Sequence, residues 1–350
     1  MTSFRARTLI PVLAGLMLIA AACGSDSAAP TTDSESNAAP ATGAPSTDDS
    51  QSVGEIATVV VTTNILGDVV GELLDGQAEV ITIMPVGADP HEFQASAQEI
   101  NRMLNADVLI VNGVNFEEGL IDVIESAEEE GVPIYEVISA VETLESGEGD
   151  GDHAGHGDED HDDHGDEDHD DHEGVDPHFF ADPVRMSSAV EGIVDFLSEQ
   201  VGSLDADALD ASADEYLAQL AAVDAEITSL IDTVDEDKRV LVTSHEVFAY
   251  FADGYGFEVV GVIIPGGSTT DAVSAGELAA LAATIEAEGI PAIFSDTSSS
   301  DELSNALASE VGDIAVVELY TESLGAPDSD GATYIAMVRT NAERIAAALG

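Results

Sequence analysis

Apolar residues follow two alternating patterns from Ile56 onward. β-Branched runs such as 58–63 and 108–111 are typical of buried strands, and the segments between them have apolar residues at helical spacing. The first part of this region predicts strands at 58–63, 78–84, 108–111 and 132–137 and helices at 65–74, 95–104 and 118–130. Strands that alternate with covering helices pair in parallel, so this pattern predicts an α/β fold with a mostly parallel sheet.

Two consecutive helices follow, at 183–200 and 205–234. The second is rich in Ala and contains no Gly or Pro, and about 30 residues at 1.5 Å each make a rod of roughly 45 Å. The alternating pattern then resumes with strands at 239–243, 257–264, 292–295 and 314–319 and helices at 246–255, 275–288, 301–311 and 333–349.

We therefore expect two α/β lobes, an N-terminal lobe over 56–204 and a C-terminal lobe over 235–350. The long helix at 205–234 would join them as a rigid strut. Ligands of open parallel sheets bind outside the carboxyl ends of the strands, so two such lobes predict a binding cleft between them.

The first 55 residues have a different composition. Arg5 and Arg7 precede an apolar run over 9–22 that is shorter than the roughly 20 residues needed to span a bilayer, which predicts a signal peptide over 1–22. Residues 19–24, IAAACG, resemble a bacterial lipoprotein cleavage site, at which Cys23 becomes the lipidated first residue. The alternative is ordinary cleavage with an incidental Cys23.

Ser, Thr, Asp, Ala and Pro dominate the rest of this region, which predicts a flexible, lipid-anchored linker over 23–55. The expected location is extracytoplasmic, at the outer face of the bacterial cell membrane. We expect the lipid to be the only contact with the membrane.

Charge excludes several classes of partner. The 350 residues contain 8 Lys and Arg against 71 Asp and Glu, a formal net charge of −63, which repels nucleic acids and anionic lipid surfaces. Cys23 is the only cysteine, so neither an internal disulfide nor a thiolate metal site can form. A transition metal would have to bind histidines and carboxylates.

Three histidines follow predicted strands or loops: His91 in DPHEF, His178 in DPHFF and His245 in TSHE. Asp-Pro-His occurs twice, and this motif suits a metal ligand because proline stiffens the backbone and a nearby carboxylate can orient the second ring nitrogen of a bound imidazole. The alternative is that these histidines only cap turns or helices.

Three segments together closely resemble the metal-binding receptor lipoproteins of zinc and manganese ABC importers. They are DPHEFQASAQEINRMLNADVLIVNGVNFEEGL at 89–120, DPHFFADP at 176–183 and TSHEVFAYFADGYGF at 243–257, and the resemblance covers 56–350. It implies two α/β lobes joined by a rigid long helix, with one metal ion between them. It also implies that His91 and His178 come from the first lobe and His245 from the second.

The resemblance implies an acidic fourth ligand from the second lobe. Glu322 is the first candidate, although the family usually has Asp at this position of the motif YTESL. Asp296, after the strand at 292–295, is the second candidate. Glu92, beside His91, is a neighbour that could support the site, and a solvated surface carboxylate is the alternative role for Glu322.

Three histidines and one carboxylate suit tetrahedral Zn²⁺. Mn²⁺ prefers more oxygen ligands, and the resemblance implies a carboxylate in manganese receptors where this chain has His245. We therefore expect Zn²⁺, with Mn²⁺ as the alternative.

A histidine-rich acidic tract predicts a disordered loop over 142–174 inside the first lobe. DEDHDDH occurs twice, at 158–164 and 166–172, and a run of this composition cannot form a packed core. The resemblance places a metal-collecting or sensing loop here, and the alternative is an inert solvating insertion. The candidate low-affinity ligands are His153, His156, His161, His164, His169 and His172.

The implied function is a non-enzymatic, monomeric receptor that captures Zn²⁺ and delivers it to the membrane permease of an ABC importer. It would have no catalytic residues. A manganese receptor of the same family, an extracellular zinc buffer or adhesin, and a zinc hydrolase are the alternatives. The hydrolase has the least support, because the chain contains neither a His-Glu-x-x-His motif nor a nucleophile elbow.

Overall fold

The structure is a computed structural model that describes residues 56–146, 174–312 and 314–350. The expected signal peptide, Cys23 and linker lie outside the described residues. So do the six histidines of the acidic tract.

The first lobe is built from alternating strands and helices. Its elements are β1 (Thr58–Val61), α1 (Asn64–Leu74), β2 (Glu79–Thr82), α2 (Ala97–Leu104), β3 (Val108–Val111), α3 (Ile121–Glu129) and β4 (Ile134–Glu136). The strand order is β2-β1-β3-β4, and every pair is parallel.

Strand β1 lies inside this sheet because both of its faces are apolar. Val59 and Val61 belong to one hydrophobic cluster and Val60 to another, and all three are fully buried. A run of apolar residues without alternation is typical of a strand covered by helices on both sides.

Two helices, α4 (Pro183–Gln200) and α5 (Ala206–Ile231), lead to the second lobe. Helix α5 has 26 residues, about 39 Å at 1.5 Å each, and lies within the expected 205–234. The second lobe contains β5 (Val240–Thr243), α6 (Ala249–Tyr255), β6 (Glu258–Val262), α7 (Ala275–Glu288), β7 (Ala292–Asp296), α8 (Glu302–Glu310), β8 (Ala315–Leu319) and α9 (Tyr334–Leu349).

The second sheet repeats the topology of the first. Its order is β6-β5-β7-β8, with every pair parallel. The predicted α/β fold, with two mostly parallel sheets and flanking helices, is therefore confirmed.

Helix α5 packs against both lobes. It contacts α1 and α4 of the first lobe and α9 of the second. Its buried residues recur every three or four positions, so one stripe faces the core: they are Leu209, Ala213, Tyr216, Leu220, Val223, Ile227 and Ile231. Through this packing one hydrophobic cluster includes Val59 of the first sheet and both Phe294 and Leu319 of the second.

The start of α6 differs from the sequence prediction. A helix was expected from 246, but α6 begins at Ala249. The backbone carbonyl of His245 accepts hydrogen bonds from Thr243 Oγ1 (2.8 Å) and from the backbone N–H of Val247 (3.0 Å), which closes a tight turn. His245 therefore lies in a turn after β5 rather than next to a helix.

The two chain segments that flank the acidic tract are paired with each other. Glu145 and Val175 form an antiparallel bridge. The backbone N–H of Ser146 donates to the carbonyl of Gly174 (2.7 Å), and that of Asp176 donates to the carbonyl of Leu144 (2.9 Å). The tract thus leaves and re-enters the lobe at adjacent positions.

None of the helices within the described ranges combines the length and the apolar character that a membrane crossing requires.

The net charge of −63 predicts a strong salt dependence of stability. Like charges in a compact chain repel one another, and the screening length falls from about 30 Å at 0.01 M to about 8 Å at 0.15 M salt. We expect the melting temperature of the metal-free protein to rise with NaCl over this range. Calorimetry at constant pH measures it, and a melting temperature that does not change with NaCl would contradict the prediction.

Candidate metal centre

The two Asp-Pro-His motifs form the same turn. The backbone N–H of His91 donates to Asp89 Oδ1 (2.9 Å), and that of His178 donates to Asp176 Oδ1 (2.9 Å). An aspartate that accepts from the N–H two residues later closes an Asx turn, with the proline at the rigid middle position. The repeated motif therefore fixes the backbone from which each imidazole projects.

The second ring nitrogens of these histidines have different partners. His178 Nδ1 lies 2.7 Å from Asp176 Oδ1, so the aspartate of its own motif orients the ring. His91 Nδ1 instead lies 3.0 Å from Glu118 Oε1. The other oxygen of Asp89, Oδ2, accepts from Thr269 Oγ1 of the second lobe (2.7 Å).

Two loops at the carboxyl ends of strands supply the second lobe's contribution. His245 follows β5 and Glu322 follows β8. In parallel sheets such ends lie on the same edge, which here faces the histidines of the first lobe.

The four side chains converge on one point. Glu322 Oε1 lies 2.8 Å from His91 Nε2, 3.2 Å from His178 Nε2 and 3.0 Å from His245 Nε2. One ligand atom of each residue lies within 4.8 Å of all the others. This arrangement is suited to hold one metal ion between the lobes.

The group is shielded from solvent. His178, His245 and Glu322 are 0% exposed and His91 is 5% exposed. The ring of Phe116 packs edge-on against His91 and His178, with centroid distances of 5.2 and 5.5 Å. One of the four side chains, that of His91, lines an open cavity of about 390 Å³.

The acidic rim of this cavity includes Glu118 and Asp271. Negative charge at the mouth of a cleft attracts cations. The acidic residues that line the cavity therefore attract cations to the side of the group on which His91 lies.

Glu322 is an anion in a buried place. Burial raises its pKa, but the adjacent charge of His245 and hydrogen bonds from the histidines outweigh this and hold the pKa of Glu322 well below its usual range. Within the described part of the chain, Glu322 Oε2 is buried without a hydrogen-bond partner. A buried carboxylate oxygen without a donor is costly, and a bound cation would satisfy it.

Two of the imidazoles have a raised pKa in the metal-free state. Burial lowers the pKa of His178, but the charge and hydrogen bond of Asp176, with the hydrogen bond of Glu322, raise it to about 9. The pKa of His91 is raised as well, because interactions with Glu322 outweigh the effect of its burial. A metal ion would therefore have to displace protons from His91 and His178.

Two further acidic candidates lie outside the group. Asp296 is the last residue of β7, and its carboxylate accepts hydrogen bonds from the backbone N–H (2.8 Å) and the Oγ (2.6 Å) of Ser298. Glu92 is exposed. The structure thus brings Glu322, rather than Asp296 or Glu92, to the three imidazoles.

Glu118 and Phe116 were not singled out from the sequence. Both lie within the segment at 89–120 that carried the family resemblance. Their contacts with His91 and His178 depend on how the loop after β3 folds back over the histidines, which residue types alone do not reveal.

Comparison with known proteins agrees with this architecture. Residues 59–348 match the family ZnuA, described as zinc-uptake complex component A, periplasmic. The manganese-binding lipoprotein MntA of Halalkalibacterium halodurans is 26% identical over 299 residues, which cover 85% of this chain and 89% of MntA. The zinc-binding protein TroA of Treponema pallidum is 28% identical over 304 residues, which cover 83% of this chain and 88% of TroA.

A solved structure of the periplasmic zinc-binding protein TroA superposes with a TM-score of 0.72 at 26% identity and covers 85% of this chain and 100% of TroA. The metal ABC transporter substrate-binding lipoprotein ScbA of Streptococcus cristatus is 22% identical over 296 residues, which cover 83% of this chain and 88% of ScbA. The family match spans most of the chain. The protein therefore belongs to the family of zinc-uptake complex component A, the metal-binding receptors of ABC importers, which are binding proteins and not enzymes.

Proposed function

We propose that this protein is an extracytoplasmic receptor that binds one Zn²⁺ ion through His91, His178, His245 and Glu322 and delivers it to an ABC permease. The observation that carries the proposal is the convergence of three imidazole Nε2 atoms on one carboxylate oxygen at 2.8–3.2 Å. The buried Oε2 of Glu322, which has no partner among the described residues, supports a cation at this place.

The donor set favours zinc. Zn²⁺ binds imidazole nitrogen at about 2.0–2.1 Å and carboxylate oxygen at about 2.0–2.2 Å, so the donors of a tetrahedral site lie about 3.3–3.5 Å apart. The present separations between Glu322 Oε1 and the three Nε2 atoms are a few tenths of an ångström shorter, as hydrogen bonds are. The four donor atoms lie within 4.8 Å of one another, so side-chain shifts that draw the three imidazoles together would convert the hydrogen-bonded group into a coordination shell.

Manganese is the second candidate, because MntA is named as a manganese-binding protein. Mn²⁺ is the harder ion and prefers carboxylates and water. The four convergent residues include a single carboxylate, which favours zinc.

The membrane attachment is part of the proposal. MntA and ScbA are named lipoproteins, which supports lipidation of Cys23 and a place at the outer face of the cell membrane. We propose that the histidines of the acidic tract collect zinc weakly near the cleft.

The first prediction of this proposal concerns the number of zinc ions bound per chain. The paired ends at Ser146 and Gly174 allow residues 147–173 to be replaced by Asn-Gly, since a two-residue turn closes a hydrogen-bonded antiparallel pair. We expect the shortened protein to keep one tightly bound zinc and the intact protein to show additional weak sites. Metal analysis with competition titrations of Zn²⁺ and Mn²⁺ measures both.

Loss of the tight site on shortening would mean that the tract, and not the interlobe group, binds the metal. Tighter binding of manganese than of zinc would reassign the cargo. Equal stoichiometry in both proteins would leave the tract without a collecting role.

The second prediction tests which carboxylate is the fourth ligand. It compares two variants in which an amide of the same shape replaces a carboxylate. Glu322→Gln replaces a charged oxygen donor with a poorly ligating amide. Loss of a residue that only supports a ligand costs up to about 100-fold in metal affinity, so loss of the ligand itself should lower zinc affinity at least about 100-fold. Asp296→Asn should retain affinity, because its carboxylate hydrogen-bonds Ser298 instead. The opposite order in competition titration would make Asp296 the ligand.

The third prediction is a pH dependence. The pKa of His178 is about 9 in the metal-free fold, above about 6.5 for an unfolded histidine. Protonation of His178 therefore stabilises the metal-free protein fully below pH 6.5, and this stabilisation is lost as pH rises through about 9. Zinc must displace that proton, so zinc affinity should rise over the same interval.

Thermal unfolding and zinc competition titration between pH 6 and 9.5 test this prediction. As pH rises, the stability of the metal-free protein should fall while the zinc affinity should rise. Asp176→Asn is the matched control, since its amide oxygen can still accept the backbone N–H of His178 while the charge is removed. In this variant both curves should shift to lower pH. A zinc affinity that is constant from pH 6.5 to 9 would contradict the assignment.

A further inference from the structure

The loop that carries Glu322 is long. It connects the end of β8 at Leu319 to α9, which begins at Tyr334. A connection of this length is not fixed by the strand and helix at its ends. The position of the carboxylate therefore depends on contacts that hold the loop near residue 322.

Before Glu322 in the chain, Asn341 of α9 holds the loop by hydrogen bonds. The backbone N–H of Tyr320 donates to Asn341 Oδ1 (2.9 Å), and Asn341 Nδ2 donates to the carbonyl of Tyr320 (2.6 Å). Both residues belong to the second lobe, so this contact sets the loop relative to its own lobe only.

After Glu322 in the chain, an asparagine of the other lobe holds the loop by hydrogen bonds. Asn64 Oδ1 accepts from the backbone N–H of Leu324 (2.7 Å), and Asn64 Nδ2 donates to Ser323 Oγ (3.0 Å). The same Nδ2 also donates to the carbonyl of Pro85 (3.2 Å), and the N–H of Gly87 donates to Ser323 Oγ (2.6 Å).

Asn64 is the first residue of α1, three positions after the end of β1, and is 7% exposed, while Ser323 is 1% exposed. Buried hydrogen bonds of this kind have defined geometry, because breaking one leaves a polar group without a partner. Asn64 therefore ties the residues after Glu322 to the lobe that supplies His91 and His178.

We infer that Asn64 is a positioning residue for the metal: its amide sets the distance between the Glu322 carboxylate and the two histidines of the first lobe. Asn64 itself contacts none of the four convergent side chains by hydrogen bonding. The inference rests on the proposed function and adds a residue to it. Supporting partners of metal ligands typically contribute about 10–100-fold to affinity.

The test is zinc competition titration of Asn64→Ala in the purified protein. Removal of the amide leaves the N–H of Leu324 without its cross-lobe partner and leaves the hydroxyl of Ser323 with the N–H of Gly87 as its cross-lobe partner, so the carboxylate is held less firmly at its place. We expect zinc affinity to fall about tenfold or more. Asn305→Ala is the control, because Asn305 is an exposed asparagine whose side chain, among the described residues, bonds only to the carbonyl of Asp301 at the start of its own helix.

A double-variant cycle separates positioning from a general structural effect. In Glu322→Ala the carboxylate is absent, so adding Asn64→Ala should cause no further loss of the remaining, weaker zinc affinity. An equal loss in both backgrounds would mean that Asn64 supports the fold and not the carboxylate, and would overturn the inference.

Cobalt spectroscopy gives a second readout. The visible bands of bound Co²⁺ report the number and geometry of its ligands, and Asn64→Ala should shift them toward those of Glu322→Ala. If Asn64→Ala does not fold, Ser323→Ala removes the hydroxyl that Asn64 and Gly87 share while keeping the bond to Leu324, and the same shift is expected. Unchanged affinity and spectrum would overturn the inference, whereas absence of tight zinc binding in the unaltered protein would overturn the proposed function as well.

Discussion

A negative charge buried among three imidazoles is the constraint on which this structure depends. The Glu322 carboxylate is fully enclosed, and an isolated anion in such a place is strongly unfavourable. In the metal-free state His91 and His178 balance it, as their raised pKa values and the lowered pKa of Glu322 indicate. A divalent cation would provide the same balance, so protons and metal ions compete for one set of atoms.

The lobes hold this group in place by packing and by hydrogen bonds between them. Helix α5 lies against helices of both lobes, and one hydrophobic cluster includes strands from both sheets. Near the site, Asp89 accepts a hydrogen bond from Thr269, and Asn64 binds the loop that carries Glu322. A site assembled in this way has lost most of its conformational freedom before an ion arrives, which favours affinity.

The acidity of the chain acts on the same ion at longer range. A net charge of −63 attracts cations to the whole molecule, and the exposed carboxylates at the mouth of the cavity continue that field toward His91. Selection then depends on the buried donors, because surface charge does not distinguish one divalent ion from another. In the proposed function, capture by surface charge and discrimination by the buried donors thus belong to different parts of the protein.

The sequence alone determined the elements whose signals are local. Helices α4 and α7 begin and end where the sequence predicted, because Asp182 and Ser274 cap their first turns, Pro183 occupies the first position of α4 and Gly289 ends α7. The parallel α/β topology followed equally from runs of apolar strands between helices. The two Asp-Pro-His motifs marked His91 and His178 because a rigid turn of three residues is itself local.

Only the tertiary structure decided which carboxylate meets the imidazoles. Glu322 follows one strand of the second sheet, Asp296 ends another, and both are buried, so residue type and local pattern do not separate them. The choice depends on a loop held by Asn64, about 260 positions earlier in the chain. It also depends on Ser298, which donates hydrogen bonds to the carboxylate of Asp296. The contact between Asn64 and Leu324 joins residues 260 positions apart, so it forms only when the chain is folded and no short segment of the sequence contains it.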